Sequence, residues 1–97
     1  MTEKKQTKEI VMTAALSMAT EVGLMGITRE GVAKRAHVAD GTVSFHFNTM
    51  NQFRRAVLRR AIHDENIPVL ATALTRPEYG ADITGDLRAK VIQHLSQ

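Results

Sequence analysis

Four histidines, His37, His46, His63 and His94, could serve acid–base or metal chemistry, but none has a partner at the spacing it needs. No two stand four apart around a glutamate, as a helical zinc site requires. Ser44 and His46 are two apart, which turns them to different sides of a helix, and no carboxylate is placed to orient the base. No glycine-rich loop could cradle a phosphate. Cysteine is absent, which excludes disulfides and thiolate metal sites. The residues therefore point away from an enzyme, and no cofactor or metal is expected. With aromatics at 4%, a stacking platform for single-stranded nucleic acid is not expected either.

The remaining chemistry is cationic. Thirteen Lys and Arg stand against ten Asp and Glu, net +3. Residues 1–63 hold ten basic and five acidic side chains, net +5, and residues 64–97 hold three and five, net −2. The basic part calls for an acidic partner or is simply solvated helix surface. Lys4, Lys5 and Lys8 ahead of Ile10–Ala19 loosely imitate a secretory leader. Glu3 and Glu9 break the basic region, and Thr13 and Ser17 break the apolar one. The stretch is also far short of the roughly 20 residues a bilayer span needs. A cytoplasmic chain without a membrane partner is expected.

Positioning these charges requires helices. Ninety-seven residues, 43% hydrophobic and 24% charged, fit one small globular domain. Ile10, Val11, Ala14, Ala15, Met18, Ala19 and Val22 recur at helical spacing, with Gly23 as a left-handed stop. Leu24–Ile27 reads as a loop. Thr28 can cap a short helix Arg29–Ala36, in which Gly31 implies close packing or close approach of a partner backbone. A third short helix starts at Ala39 or Asp40, with Val43 and Phe47 on one face. Asn48-Thr49 is a turn and cap before a longer helix from Met50 through Phe53, Val57, Ala61 and Ile62. The other face of that helix holds Arg54-Arg55 and Arg59-Arg60. Pro68 breaks or kinks it or opens a new one, and Val69–Leu74 continues helical. Pro77–Gly80 reads as a loop. Ile83, Leu87, Val91 and Leu95 mark a last helix capped by Thr84. The methionines read as gap-fillers. No segment alternates, so the fold class is all-α, a three-helix bundle with a long kinked fourth helix and a short C-terminal helix.

Two short helices with a three-residue turn, touching at Ala33 over Val32, Ala36, Val38 and Val43, match a helix-turn-helix, whose second helix enters the major groove. The turn normally prefers glycine at positive φ; His37 stands there and tolerates that region better than most residues.

The runs Ile10-Val11-x-x-Ala14-Ala15, Gly23-Leu24-x-Gly26-Ile27-Thr28, Val32-Ala33-x-x-Ala36-x-Val38 and Gly41-Thr42-Val43-Ser44-Phe45-His46-Phe47 resemble the N-terminal DNA-binding domain of TetR-family repressors over about residues 8–62. The chain departs from the family pattern at Ser44, where tyrosine is usual, and at Met50, where lysine is usual. It also departs in length, because family members carry a longer helical domain that binds inducer and dimerises. In this it is similar to short plasmid and phage repressors, and no small-molecule inducer is expected.

The resemblance implies a regulator, most simply a repressor, binding double-stranded DNA as a homodimer on an inverted repeat. Thr28, Arg29, His46, Asn48 and Thr49 would meet phosphate, with Arg54 or Arg55 compensating for the absent Tyr and Lys. Asp40, Gly41, Thr42, Ser44 and Phe45 would face base edges, Phe45 against a thymine methyl. For His46 and Phe45 packing is the competing role, and for Lys4, Lys5 and Lys8 the choice is a DNA-touching arm or a solvated tail. The DNA-binding region is placed at 1–62 and a dimerisation extension at 63–97, within one domain. Ile83, Leu87, Val91 and Leu95 either pair with a second copy or pack on the fourth helix of their own chain. A helical protein-interaction adaptor on the same scaffold is the alternative function.

Overall fold

The computed structural model describes residues 2–96, with side chains from residue 6 onward, so the side chains of Lys4 and Lys5 lie outside the described residues. Seven helices follow in order: α1 Thr2–Val22, α2 Arg29–Ala36, α3 Asp40–His46, α4 Met50–His63, α5 Ile67–Leu74, α6 Pro77–Gly80 and α7 Gly85–Leu95. A 3₁₀ turn, Leu24–Gly26, links α1 to α2, and there is no strand among the described residues.

The apolar face of α1 is Val11, Met12, Ala14, Ala15 and Ala19, all buried, whereas Ile10 and Val22 are half exposed. Gly23 ends the helix at φ 84°, ψ 161°. That is not the left-handed helical region but an extended mirror conformation open essentially to glycine alone. Leu24 is then fastened by its N–H, which donates to Thr72 Oγ1 at 3.1 Å.

Two helices end by the same closure without glycine. After α2, His37 adopts φ 58°, ψ 44°, and the Val38 N–H donates to the Ala33 carbonyl at 3.0 Å. After α4, Glu65 has φ 51°, and the Asn66 N–H donates to the Ala61 carbonyl at 2.8 Å. In each case one left-handed residue lets the next N–H reach back five residues and satisfy a carbonyl of the last turn. The long kinked fourth helix is therefore two helices. The first stops at His63, five residues before Pro68, which sits in the first turn of α5, where its missing N–H has no helical acceptor to lose. Asn66 caps α5 through its side-chain oxygen, which accepts from Val69 N at 3.3 Å.

The core is one cluster that runs through both parts of the chain. Val32, Ala33 and Ala36 from α2 and Val43 from α3 join Phe53, Val57, Leu58 and Ala61 from α4. Val69, Leu70 and Ala73 from α5 belong to the same cluster, as do Tyr79, Ile83 and Val91. Ile83 and Val91 are fully buried and Leu87 is partly buried, because α7 packs on α5. Of the two roles weighed for this stripe, packing within the chain is the one seen: Ile83, Leu87 and Val91 join the chain's own core, against α5 rather than α4, and of the four only Leu95 is exposed, beside Ile92.

Pro77–Gly80 is a helical turn rather than a loop. Gly80 is buried against the Leu74 carbonyl, and a Cβ there would lie 2.3 Å from that oxygen. Arg88 Nη1 donates to the carbonyls of Gly80 and Ile83 at 3.0 and 3.1 Å, closing the turn onto α7. Gly80→Ala should therefore destabilise by about 1–3 kcal/mol despite the entropy that alanine removes from the unfolded chain. Denaturant unfolding of the two proteins measures it, and an unchanged midpoint would contradict this packing.

Candidate nucleic-acid interface

α3 is anchored on one edge only. Val43 is fully buried and Phe47 nearly so, the latter stacked on Phe53 with ring centroids 4.7 Å apart. At 3.6 residues per turn, Gly41 and Phe45 then lie opposite that edge. Thr42 and Ser44 fall on the two flanks and are half-buried, while Asp40 and Gly41 are exposed. Phe45 is 67% exposed, and its ring meets His46 edge-on at 5.2 Å. Of the two roles weighed for Phe45, core packing does not occur; Phe47 takes it. A Cβ on Gly41 would meet nothing within 4 Å, so no internal contact demands a glycine there. Gly31 differs: a Cβ would fall 2.6 Å from Met18 Cε, so the close approach is made by α1.

Two capped helix starts flank α3. Thr28 Oγ1 accepts from Gly31 N at 3.0 Å, and Thr49 Oγ1 accepts from Gln52 N at 3.1 Å. Each hydroxyl keeps its own hydrogen to donate outward, and both threonines are exposed. Arg29 lies between them, half-buried; its Nη2 donates to the Asn48 carbonyl at 3.4 Å, while its buried Nε has no partner. Asn48 itself is exposed, and His46 is half-buried.

The four arginines of α4 do not share one face, because neighbours on a helix diverge by about 100°. Arg54 is half-buried, with a buried Nε that has no partner. Arg55 turns to the C-terminal segment, 3.9 Å from Asp82 and over the Tyr79 ring at 5.5 Å. Arg60 clasps Glu9 with both Nη atoms, at 2.7 and 2.5 Å, and Asp64 with Nε at 2.9 Å. Arg59 alone faces a cleft of about 480 Å³ between α1, the α3–α4 turn and α4, together with Lys8, His46, Asn48 and Gln52. Lys8 Nζ sits 5.6 Å from the Phe47 centroid. The sequence offered Lys8 as an arm or tail residue and Arg59 as one of a basic pair, but it did not bring them together, and Gln52 did not stand out. The seven-residue step from Gln52 to Arg59, which keeps one helix face, was the available signal.

Elsewhere α1 and α2 are tied by Arg35, which bonds Glu21 and also Ser17 Oγ at 3.1 Å. Among the described residues no group of three or more His, Asp or Glu could hold a metal ion. Among these residues no helix is long and apolar enough to cross a membrane. No family model matches the chain, and neither a curated protein nor a solved structure does.

The clasp has a pH signature. The Arg60 hydrogen bonds hold the Glu9 carboxyl below its ordinary value. His63 first, then Arg60, does the same for Asp64. Carboxylates lowered on folding add stability above their unfolded values, and that contribution disappears as pH falls through the folded ones. The groups are exposed, so the effect is small. Arg60→Met should lower Tm at pH 7, and the gap to the parent should close as pH falls from 7 into acid below about 4.5. Thermal melts at the two ends of that range check it; a gap that widens in acid contradicts the clasp.

Proposed function

We propose that this chain is a sequence-specific, double-stranded-DNA-binding transcriptional regulator, most simply a repressor. α2 and α3 act as a helix-turn-helix, with α3 in the major groove. The observation that carries the reading is α3 itself. It is a seven-residue helix held by Val43 and Phe47, with Gly41 and Phe45 turned outward and capped helix starts on either side. An aromatic ring two-thirds exposed on a rigidly anchored helix is a surface for apolar contact, and a thymine methyl in the major groove supplies one. Thr42 and Ser44 border it as hydrogen-bonding groups, and Asp40 stands exposed at the start of the helix. Thr28 and Thr49 present hydroxyls, and their helix N-termini favour phosphate oxygens.

The regulator acts as a homodimer on an inverted repeat, its two reading helices about 34–36 Å apart. The dimer surface is the outer side of α7, where Ile92 and Leu95 lie three apart and half exposed. Repression follows from occupying DNA that polymerase needs. Location in the cytoplasm, at the nucleoid, goes with this role.

Selection of bound sequences from a random duplex pool tests the reading as a whole: enrichment of an inverted repeat is expected. A chain that retains no duplex at low salt is an adaptor instead. On the enriched site, Phe45→Ala should relax preference at one or two positions by about 1–3 kcal/mol and leave random DNA binding intact. Equal weakening of both duplexes would remove α3 from the reading role.

The dimer has its own test. Ile92→Asp with Leu95→Asp should shift sedimentation to the monomer and weaken binding to the two-half-site duplex without unfolding the domain, since both side chains are exposed. A parent protein that sediments as a monomer yet binds that duplex tightly would exclude the dimer.

A further inference from the structure

We infer that the cleft between α1, the α3–α4 turn and α4 seats one phosphodiester strand of duplex DNA, with Lys8 and Arg59 as its cationic walls. The inference rests on the DNA-binding reading above and deepens it by naming which side chains grip the backbone.

Internal pairing decides which cations are available. Arg60 is held by Glu9 and Asp64, Arg35 by Glu21, and Lys90 by Glu65, while Arg55 faces Asp82. Lys8 and Arg59 form no ion pair with any described carboxylate, both are exposed, and both line the same cleft. The other polar groups lining it are His46, Asn48 and Gln52, and no Asp or Glu does so. The C-terminal end of α3 opposes the two cations with at most about half an electron. Two full positive charges outweigh it.

The cleft is also arranged in advance. Phe47 is fixed by its stack on Phe53, and the Lys8 ammonium rests 5.6 Å from the Phe47 ring, so it need not be gathered from a wide sweep. His46 belongs to the cleft and to the reading surface, since the same ring meets Phe45 edge-on. An anionic strand lying in the cleft therefore passes directly beside α3. That continuity favours duplex DNA, whose backbone strand and groove edge lie side by side and would meet the cleft and Phe45 together.

The test is the salt dependence of binding by the full chain to a short random-sequence duplex. Each phosphate contact adds about 0.9 to the slope of log affinity against log salt. Lys8→Gln with Arg59→Gln should lower that slope by about two. The affinity lost between 50 and 200 mM salt should then shrink about tenfold relative to the parent. Lys8→Arg with Arg59→Lys should keep the parent slope. Arg76→Gln with Lys90→Gln removes equal charge outside the cleft and should leave the slope near that of the parent. Should the double glutamine variant fail to melt cooperatively, the single variants are used, each expected to lose about one unit.

A slope unchanged in the cleft variant, with the parent binding duplex, overturns the cleft and leaves the DNA reading standing. An equal fall in the Arg76/Lys90 variant assigns the effect to net charge and overturns it too. Loss of phosphatidylserine-vesicle binding in the cleft variant, with no change on DNA, would assign the cleft to a membrane instead. A parent that binds no duplex at any salt removes both proposals.

Discussion

The structure depends on burying α5. This eight-residue helix presents Val69, Leu70 and Ala73 to the interior without exposure, and it touches α1, α4, α6 and α7. A chain of this size hides only a little over 60% of the surface its unfolded state exposes, so a core split between two halves would hardly stand. Routing α5 through the middle joins the halves. Its Thr72 also fastens the turn after α1, accepting from Leu24 N and donating to the Val69 carbonyl at 2.7 Å. The angle at which α1 gives way to α2 is thus set by a residue nearly fifty positions later.

On that base, α2 and α3 need few contacts of their own. Ala33, 1% exposed, lets the helices approach closely, and the left-handed His37 turns the chain within three residues. Val43 and Phe47 then hold α3 along one edge. The stack of Phe47 on Phe53 couples that edge to α4, the longest helix after α1. A helix held so narrowly has most of its circumference in solvent. That is why a residue as apolar as Phe45 can be exposed without any local unfolding.

Electrostatics follows packing rather than composition. The chain has thirteen basic side chains, but many of its cations are engaged internally. Arg88 closes a loop through two carbonyls, and Arg60 ties α1 to the end of α4. The ion pairs are exposed and individually weak, yet each orients a long side chain and withdraws it from a prospective partner. The positive surface left beside α3 is therefore smaller and more localised than the +5 of residues 1–63 suggests.

Helical periodicity, caps and the absence of alternating segments were enough to determine the all-α class, and they located the short helices 29–36 and 40–46. The Thr28 cap and the left-handed His37 were also legible, because N-cap hydrogen bonding and positive φ are local properties. The break after α4 was not. Pro68 marked a break, a kink or a new helix start without deciding among them, while the stop came from Glu65 at positive φ, a conformation its residue type does not advertise. Nor could spacing say whether Ile83, Leu87 and Val91 faced inward or toward a second chain, since an apolar stripe reads the same against either. The position of α5 settled that, by offering those residues a surface within the chain. The same holds for the arginines: sequence places four on α4, but only the third dimension puts Glu9 opposite Arg60, Asp82 near Arg55, and Lys8 across the cleft from Arg59. Ion pairing between positions fifty residues apart is decided by packing, and packing is a property of the folded chain.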